Sequence, residues 1–351
     1  MTEPARAGDP RGGTAAAGRS AASDPWAALF RLFAWGMVAV TGAYLVENWL
    51  VFWRGWPTAL SLFGAPSAPA GLTAGLYALA ALLAVAVAFA HAGRGLREDQ
   101  LRITALARFL ARAAFWAVLL VGIADATVSL MRNEGMLLVL FGEQAHANAG
   151  AARWRGPYVH LPMILLGVAI AAVTRGPGVI WLALLVVAAE LTMVISRFVF
   201  SYQQAFMSDL VRFWYSALFL FASAQTLAED AHVRVDILYA SLSRRAKALV
   251  NGFGAVVFGM TLCWVILILG TASPAATING PMLRLEIGQS SAGMFVKYLM
   301  AGFLGVFAVT MMVQFAAMLL GAVADWRGEP DPTRPDAGDV PEGEPPRPQG
   351  V

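Results

Sequence analysis

Eight long apolar runs, set apart by short polar stretches, constrain this chain more than any other feature. They fall at about residues 26–53, 71–90, 113–131, 157–173, 179–200, 210–228, 249–271 and 294–323. A helix needs about 17–25 mainly apolar residues to cross a bilayer. Inside lipid, every backbone N–H and C=O must be bonded within its own segment or a closed barrel. The sequence therefore predicts an all-α integral membrane protein with about eight transmembrane helices. Composition agrees: 58% of residues are hydrophobic and 13% charged, against roughly 45–50% and 25% in soluble domains.

The rest of the chain divides around these runs. Residues 1–25, rich in Ala, Gly, Arg and Pro, and 326–351, rich in Pro, Gly and acid, read as disordered tails because neither can bury apolar surface. The first four spans occupy 26–175 and the last four 176–325. The 91–112 stretch carries Arg94, Arg97, Arg102, Arg108 and Arg112 against Glu98 and Asp99. Basic loops stay on the cytoplasmic side. With eight spans, this loop, Arg175 and the Arg244, Arg245, Lys247 cluster fall on one side together with both termini. Both ends are thus expected in the cytoplasm.

Chemical motifs are sparse. A lone cysteine, Cys263, excludes an internal disulfide framework and a cysteine zinc site. No His-Glu-x-x-His, phosphate loop or nucleophile elbow occurs. The four histidines form no evident haem-holding pair, and no basic aromatic patch suggests nucleic acid. The expectation is a protein that is not an enzyme and takes no cofactor, metal or nucleic acid.

Charges within or beside the spans are the candidate functional residues. Asp125 lies inside the third span and Glu190 near the middle of the fifth. Such charges usually face other helices, a partner or water, so each reads either as a packing residue or as a ligand along a transport path. Glu47, near Trp49 and Trp53, reads as an interfacial acid. Arg197 closes the fifth span. Asp209 and Arg212 open the sixth, three residues apart and hence neighbours on a helix. They read either as headgroup-seeking ends or as a charged cluster that docks a partner.

The segment 231–250, AHVRVDILYASLSRRAKALV, is the densest mixture of chemistries. Val233, Val235 and Ile237 alternate with Arg234 and Asp236. Leu238, Leu242, Ala246 and Leu249 then follow helical spacing. It reads as an amphipathic strap lying on anionic phospholipid, or as an ordinary cytoplasmic loop.

His232, Val233, Val235 and Asp236, followed by the basic cluster, resemble the small membrane subunit (DctQ-like) of tripartite ATP-independent periplasmic (TRAP) transporters. Arg197-Phe198-Val199-Phe200, Asp209, Arg212 and the polar stretch 288–298 extend the likeness over about residues 178–325. Ser243 stands where that family often has proline. Ala301, Gly302 and Gly305 stand where it commonly has another. The resemblance implies a bacterial inner-membrane scaffold subunit that binds a large membrane subunit. That partner moves an organic acid by a Na+-driven elevator motion, and a periplasmic substrate-binding protein delivers the solute. The interface residues would come from Arg197, Asp209, Arg212, His232, Arg234, Asp236, Arg244, Arg245 and Lys247. Residues 26–175 lie outside the likeness. The rival reading is a self-sufficient transporter or channel using Asp125 and Glu190.

Overall fold

The computed structural model describes residues 25–175, 180–228, 239, 241–288, 290 and 292–331. Among these the regular structure is all helix, with no strand. The helices are α1 Pro25–Arg54, α2 Ala68–Ala90, α3 Leu96–Asn133, α4 Met136–Ala149, α5 Ala152–Val173, α6 Ile180–Val199, α7 Ala205–Ala228, α8 Arg244–Thr271, α9 Asn279–Arg284 and α10 Lys297–Arg327. Eight of the ten, all but α4 and α9, are long and apolar enough to cross a membrane. The chain is a multi-pass membrane protein.

Local chemistry sets the helix limits. Ser67 caps α2, its hydroxyl accepting from the Ala70 N–H at 3.3 Å, with Pro69 in the first turn. A cap of this kind satisfies an otherwise orphaned donor, and proline loses nothing there. Ser243 caps α8 in the same way, accepting from Ala246 N–H. Gly328, at φ 75°, ends α10. Its N–H bonds to Asp325 O and that of Glu329 to Ala324 O, a paired closure that needs a left-handed residue and so favours glycine.

Three boundaries depart from expectation. The basic 91–112 stretch is mostly helix, because α3 starts at Leu96 and runs 38 residues. Glu98 and Asp99 suit its N-terminal dipole, while Leu96, Ile103, Ala107 and Ala111 bury one face. Charge density hid that periodicity. The 132–156 stretch contains α4, broken at Gly142 with φ 82°. Arg244, Arg245 and Lys247 form the opening of α8, because Ser243 caps the helix and it begins at Arg244, five residues before the expected start of the span at Leu249. Residues 229–238 and 240 lie outside the described residues, as do 1–24, 176–179 and 332–351.

α10 is the axis of the bundle: 61% of its apolar window is buried, against 6% for α6. α3 packs on α5, α7 and α10; α1 on α2 and α10; α8 on α10; α6 along α7. Phe303 of α10 meets Phe213 and Phe221 of α7 at 5.1 and 5.0 Å between ring centroids. α5 approaches α3 so closely at Gly167 that a Cβ there would lie 2.5 Å from Ala117 N. The start of α1, the α2–α3 turn and the end of α10 share one side of the bundle, here the terminal side. The other is the distal side.

Candidate functional site

The functional geometry centres on buried charge carried by α3. Asp125 is fully buried. Its Oδ1 accepts from Arg155 Nη1 at 2.8 Å and His160 Nε2 at 3.0 Å. Its Oδ2 accepts from the Phe295 N–H at 2.8 Å. A carboxylate only accepts, so His160 donates from Nε2, and its Nδ1 meets the Tyr298 hydroxyl at 2.6 Å. Arg155 also donates to Ser129 Oγ and to Ala149 O, and its guanidinium lies over the Phe295 ring at 4.2 Å. An ion buried without partners would cost several kcal/mol; here each charge has several.

Winding explains how Arg155 and His160 reach one carboxylate. In an α-helix, residues five apart point in different directions. Gly156–His160 is instead a π-turn, with the Leu161 N–H reaching back to Gly156 O. Its i→i+5 pitch sets positions 155 and 160 on one face. Asp125, Ser129 and Asn133 form a single stripe on α3. Ser129 donates to Gly293 O and Asn133 to Ala292 O. The whole stripe therefore fastens α3 and α5 to the 292–298 segment that opens α10.

A second cluster occupies the terminal side. Asp99, also fully buried, accepts from Arg31 Nε of α1 and contacts His91 Nδ1 at 2.5 Å and Trp35 Nε1 at 3.4 Å. Arg31 Nη2 donates to Arg94 O, and Arg102 Nη1 lies 2.7 Å from His91 Nε2. Beside it, Arg97 of α3 donates to Asp325 of α10 at 2.6 Å, and its backbone N–H to Glu329 at 3.2 Å. Arg244 at the start of α8 reaches Asp325 and Glu329 O.

The expected site residues are only partly brought together. Asp209 and Arg212 pair across one turn at 3.7 Å, and Asp209 also accepts the Met294 N–H at 3.1 Å. Arg197 stays apart, exposed, its guanidinium 5.5 Å from the Phe198 ring centre. Arg245 is exposed, while Lys247 lies over the Tyr239 ring at 5.4 Å. His232, Arg234 and Asp236 fall outside the described residues. Glu190 is exposed on α6, whereas Asp125 is sealed inside, so the two do not form a pair. Glu47 is not a lone interfacial acid: it accepts from Ala59 N–H at 2.7 Å and from the Tyr77 hydroxyl.

Sequence reading missed Arg155, His160, Arg31 and Asp99. The available signal was charge balance. An aspartate deep in a span needs a cation, and Arg155 at the mouth of the next long apolar helix was within reach. Among the described residues no group of three or more His, Cys, Asp or Glu is placed to hold a metal. The network offers neither an open coordination position nor an activated nucleophile. Its chemistry is fastening.

Residues 184–325 match the family model described as Tripartite ATP-independent periplasmic transporters, DctQ component. The matched segment runs from α6 into the last turns of α10, within the 178–325 over which the sequence resembles that family. No curated protein matches the chain, and no solved structure matches it.

Proposed function

We propose that this chain is the static membrane subunit of a TRAP-type secondary transporter. In this reading it steadies a large elevator subunit during Na+-driven uptake of an organic acid delivered by a periplasmic binding protein. It lies in the bacterial inner membrane with both termini in the cytoplasm. The match of residues 184–325 to the DctQ component carries the proposal. Residues 26–175 form an added four-helix region that widens the scaffold, and 176–325 form the DctQ-like region. The 231–250 segment rests on anionic phospholipid through its basic residues, including Arg244, Arg245 and Lys247.

Geometry supports a partner along α6. Leu184, Val187, Leu191, Val194 and Phe198 are all exposed at helical spacing, and Glu190 lies among them with no hydrogen bond or ion pair among the described residues. Isolated intramembrane charges are costly, so a donor or cation from the large subunit is the natural complement. Arg197 at the end of the same helix and Arg212 at the start of α7 extend this face. A self-sufficient carrier needs Asp125 free to bind a solute, yet all its described contacts go to the protein.

The test is co-expression with a candidate large subunit. Glu190→Leu is expected to lower co-purification while this chain remains monodisperse. Full uptake by proteoliposomes holding this chain alone would overturn the reading.

A further inference from the structure

A cavity of about 530 Å³ opens between the distal half of α1 and the α3–α5 pair, with α10 as its floor. Ligand sites run from roughly 300 to 1,000 Å³. Leu45 and Trp49 of α1, Ala114 of α3, Ile164 of α5 and Val306 of α10 line it, and no charged residue does. Its asparagine amides are already engaged: Asn48 and Asn279 both donate to Thr271 O, at 3.4 and 2.9 Å. A water-soluble solute would find nothing there to replace its hydration.

The dimensions select the occupant. On α3 the lining runs from Leu110 to Val121, and on α10 from Leu299 to Thr310. At 1.5 Å per residue each stretch covers about 16 Å, half of a hydrocarbon core ~30 Å thick. The cavity is therefore about one leaflet deep. A partner helix, about 10–12 Å across and 5.4 Å per turn, would fill this volume with roughly one turn, so a crossing helix does not fit.

At the mouth, Trp49 and Trp53 line the cavity half-exposed, at the depth tryptophans favour. Arg54 follows directly, exposed, its guanidinium 5.2 Å from the Trp49 ring centre. No carboxylate among the described residues claims it. An apolar slot one leaflet deep with a cation at its rim matches a phospholipid, tail inward and phosphate outward.

We infer that this cleft binds one phospholipid, an acyl chain filling the space between α1 and α3–α5 and the phosphate resting on Arg54. The inference does not rest on the transporter reading. It places a lipid among the added helices α1, α3 and α5, over α10 of the DctQ-like region, where α1 and α3 part beyond the Arg31–Asp99 pair.

The full chain is reconstituted in vesicles of phosphatidylethanolamine and phosphatidylglycerol, extracted into detergent, and weighed by native mass spectrometry. About one retained phospholipid per chain is expected. Gly305→Phe fills the cavity, where an added Cβ meets only Ile278 Cδ1 at 3.9 Å, and should abolish retention. Ala114→Leu serves if that variant misfolds. Arg54→Gln should lower retention about fivefold. Absent phospholipid, detergent in its place, or equal retention in wild type and both filled variants would each overturn the inference. Undiminished retention in Arg54→Gln would overturn the phosphate contact.

Discussion

Two aspartates on α3 meet the same problem in different surroundings. Asp99 and Asp125 lie about 39 Å apart along the helix axis, each fully buried and each held by one arginine and one histidine. Around Asp125 the partners are sealed as well, Arg155 at 0% and His160 at 1% exposure. Around Asp99 the histidine is 15% exposed and leads on to Arg102, at 42%. The distal cluster is dry and the terminal one opens to the surroundings. A dry cluster offers no substitute for a lost partner, whereas a wetter one has water and neighbouring arginines to draw on. The two also fasten different things: Asp99 holds α1 and the α2–α3 turn to α3, while Asp125 joins α3 and α5 to the root of α10.

The contrast predicts a ladder of effects. Arg155→Met strands Asp125 and should cost about 3–5 kcal/mol, read as a large drop in thermal unfolding temperature in detergent. Adding Asp125→Leu should restore most of it, since replacing a whole buried pair by apolar residues is often neutral. No rescue would mean that the cost comes from packing rather than charge. Arg31→Met leaves Asp99 with His91, Trp35 and access to water, and about 2 kcal/mol is expected. If it costs as much as Arg155→Met, the difference in wetness does not matter. Combined, the two single variants should add within ~0.5 kcal/mol, because the clusters share no residue; strong coupling would mean that α3 transmits strain end to end.

The smallest effect belongs to a bond at the surface. Tyr202 donates to Glu134 at 2.7 Å, and Tyr202→Phe should cost under ~1 kcal/mol. Burial and the neighbouring carboxylate push its phenol from 10.0 up to about 12. A raised value means the contribution is complete below pH 10 and is lost as pH climbs through about 12. The variant and wild type should therefore differ by a constant amount between pH 6 and 9.

The spans were legible because hydropathy over twenty residues is additive along the chain. The eight expected runs correspond to eight helices, and Asp209 beside Arg212 followed from helical spacing alone. What stayed hidden depends on geometry that sequence does not state. Arg155 and His160 converge only because a π-turn changes the winding between them. Arg31 and Asp99 are far apart in sequence and meet through the folding of α1 against α3. The start of α3 was obscured by its own arginines, whose charge masks a buried stripe of Leu96, Ile103 and Ala107. The Ser243 cap, by contrast, is legible in the sequence as a capping residue, one whose helix carries the Arg244, Arg245 and Lys247 cluster.

α10 is gripped at both extremities. At one, Asp209 and Asp125 hold the Met294 and Phe295 amides; at the other, Arg97 holds Asp325 and Glu329. A rod clamped top and bottom resists sliding along its own length, so it behaves as mechanical ground. Under the proposed function, a machine bolted alongside would take its stroke at the shared surface, with this chain as the stationary frame against which travel is measured.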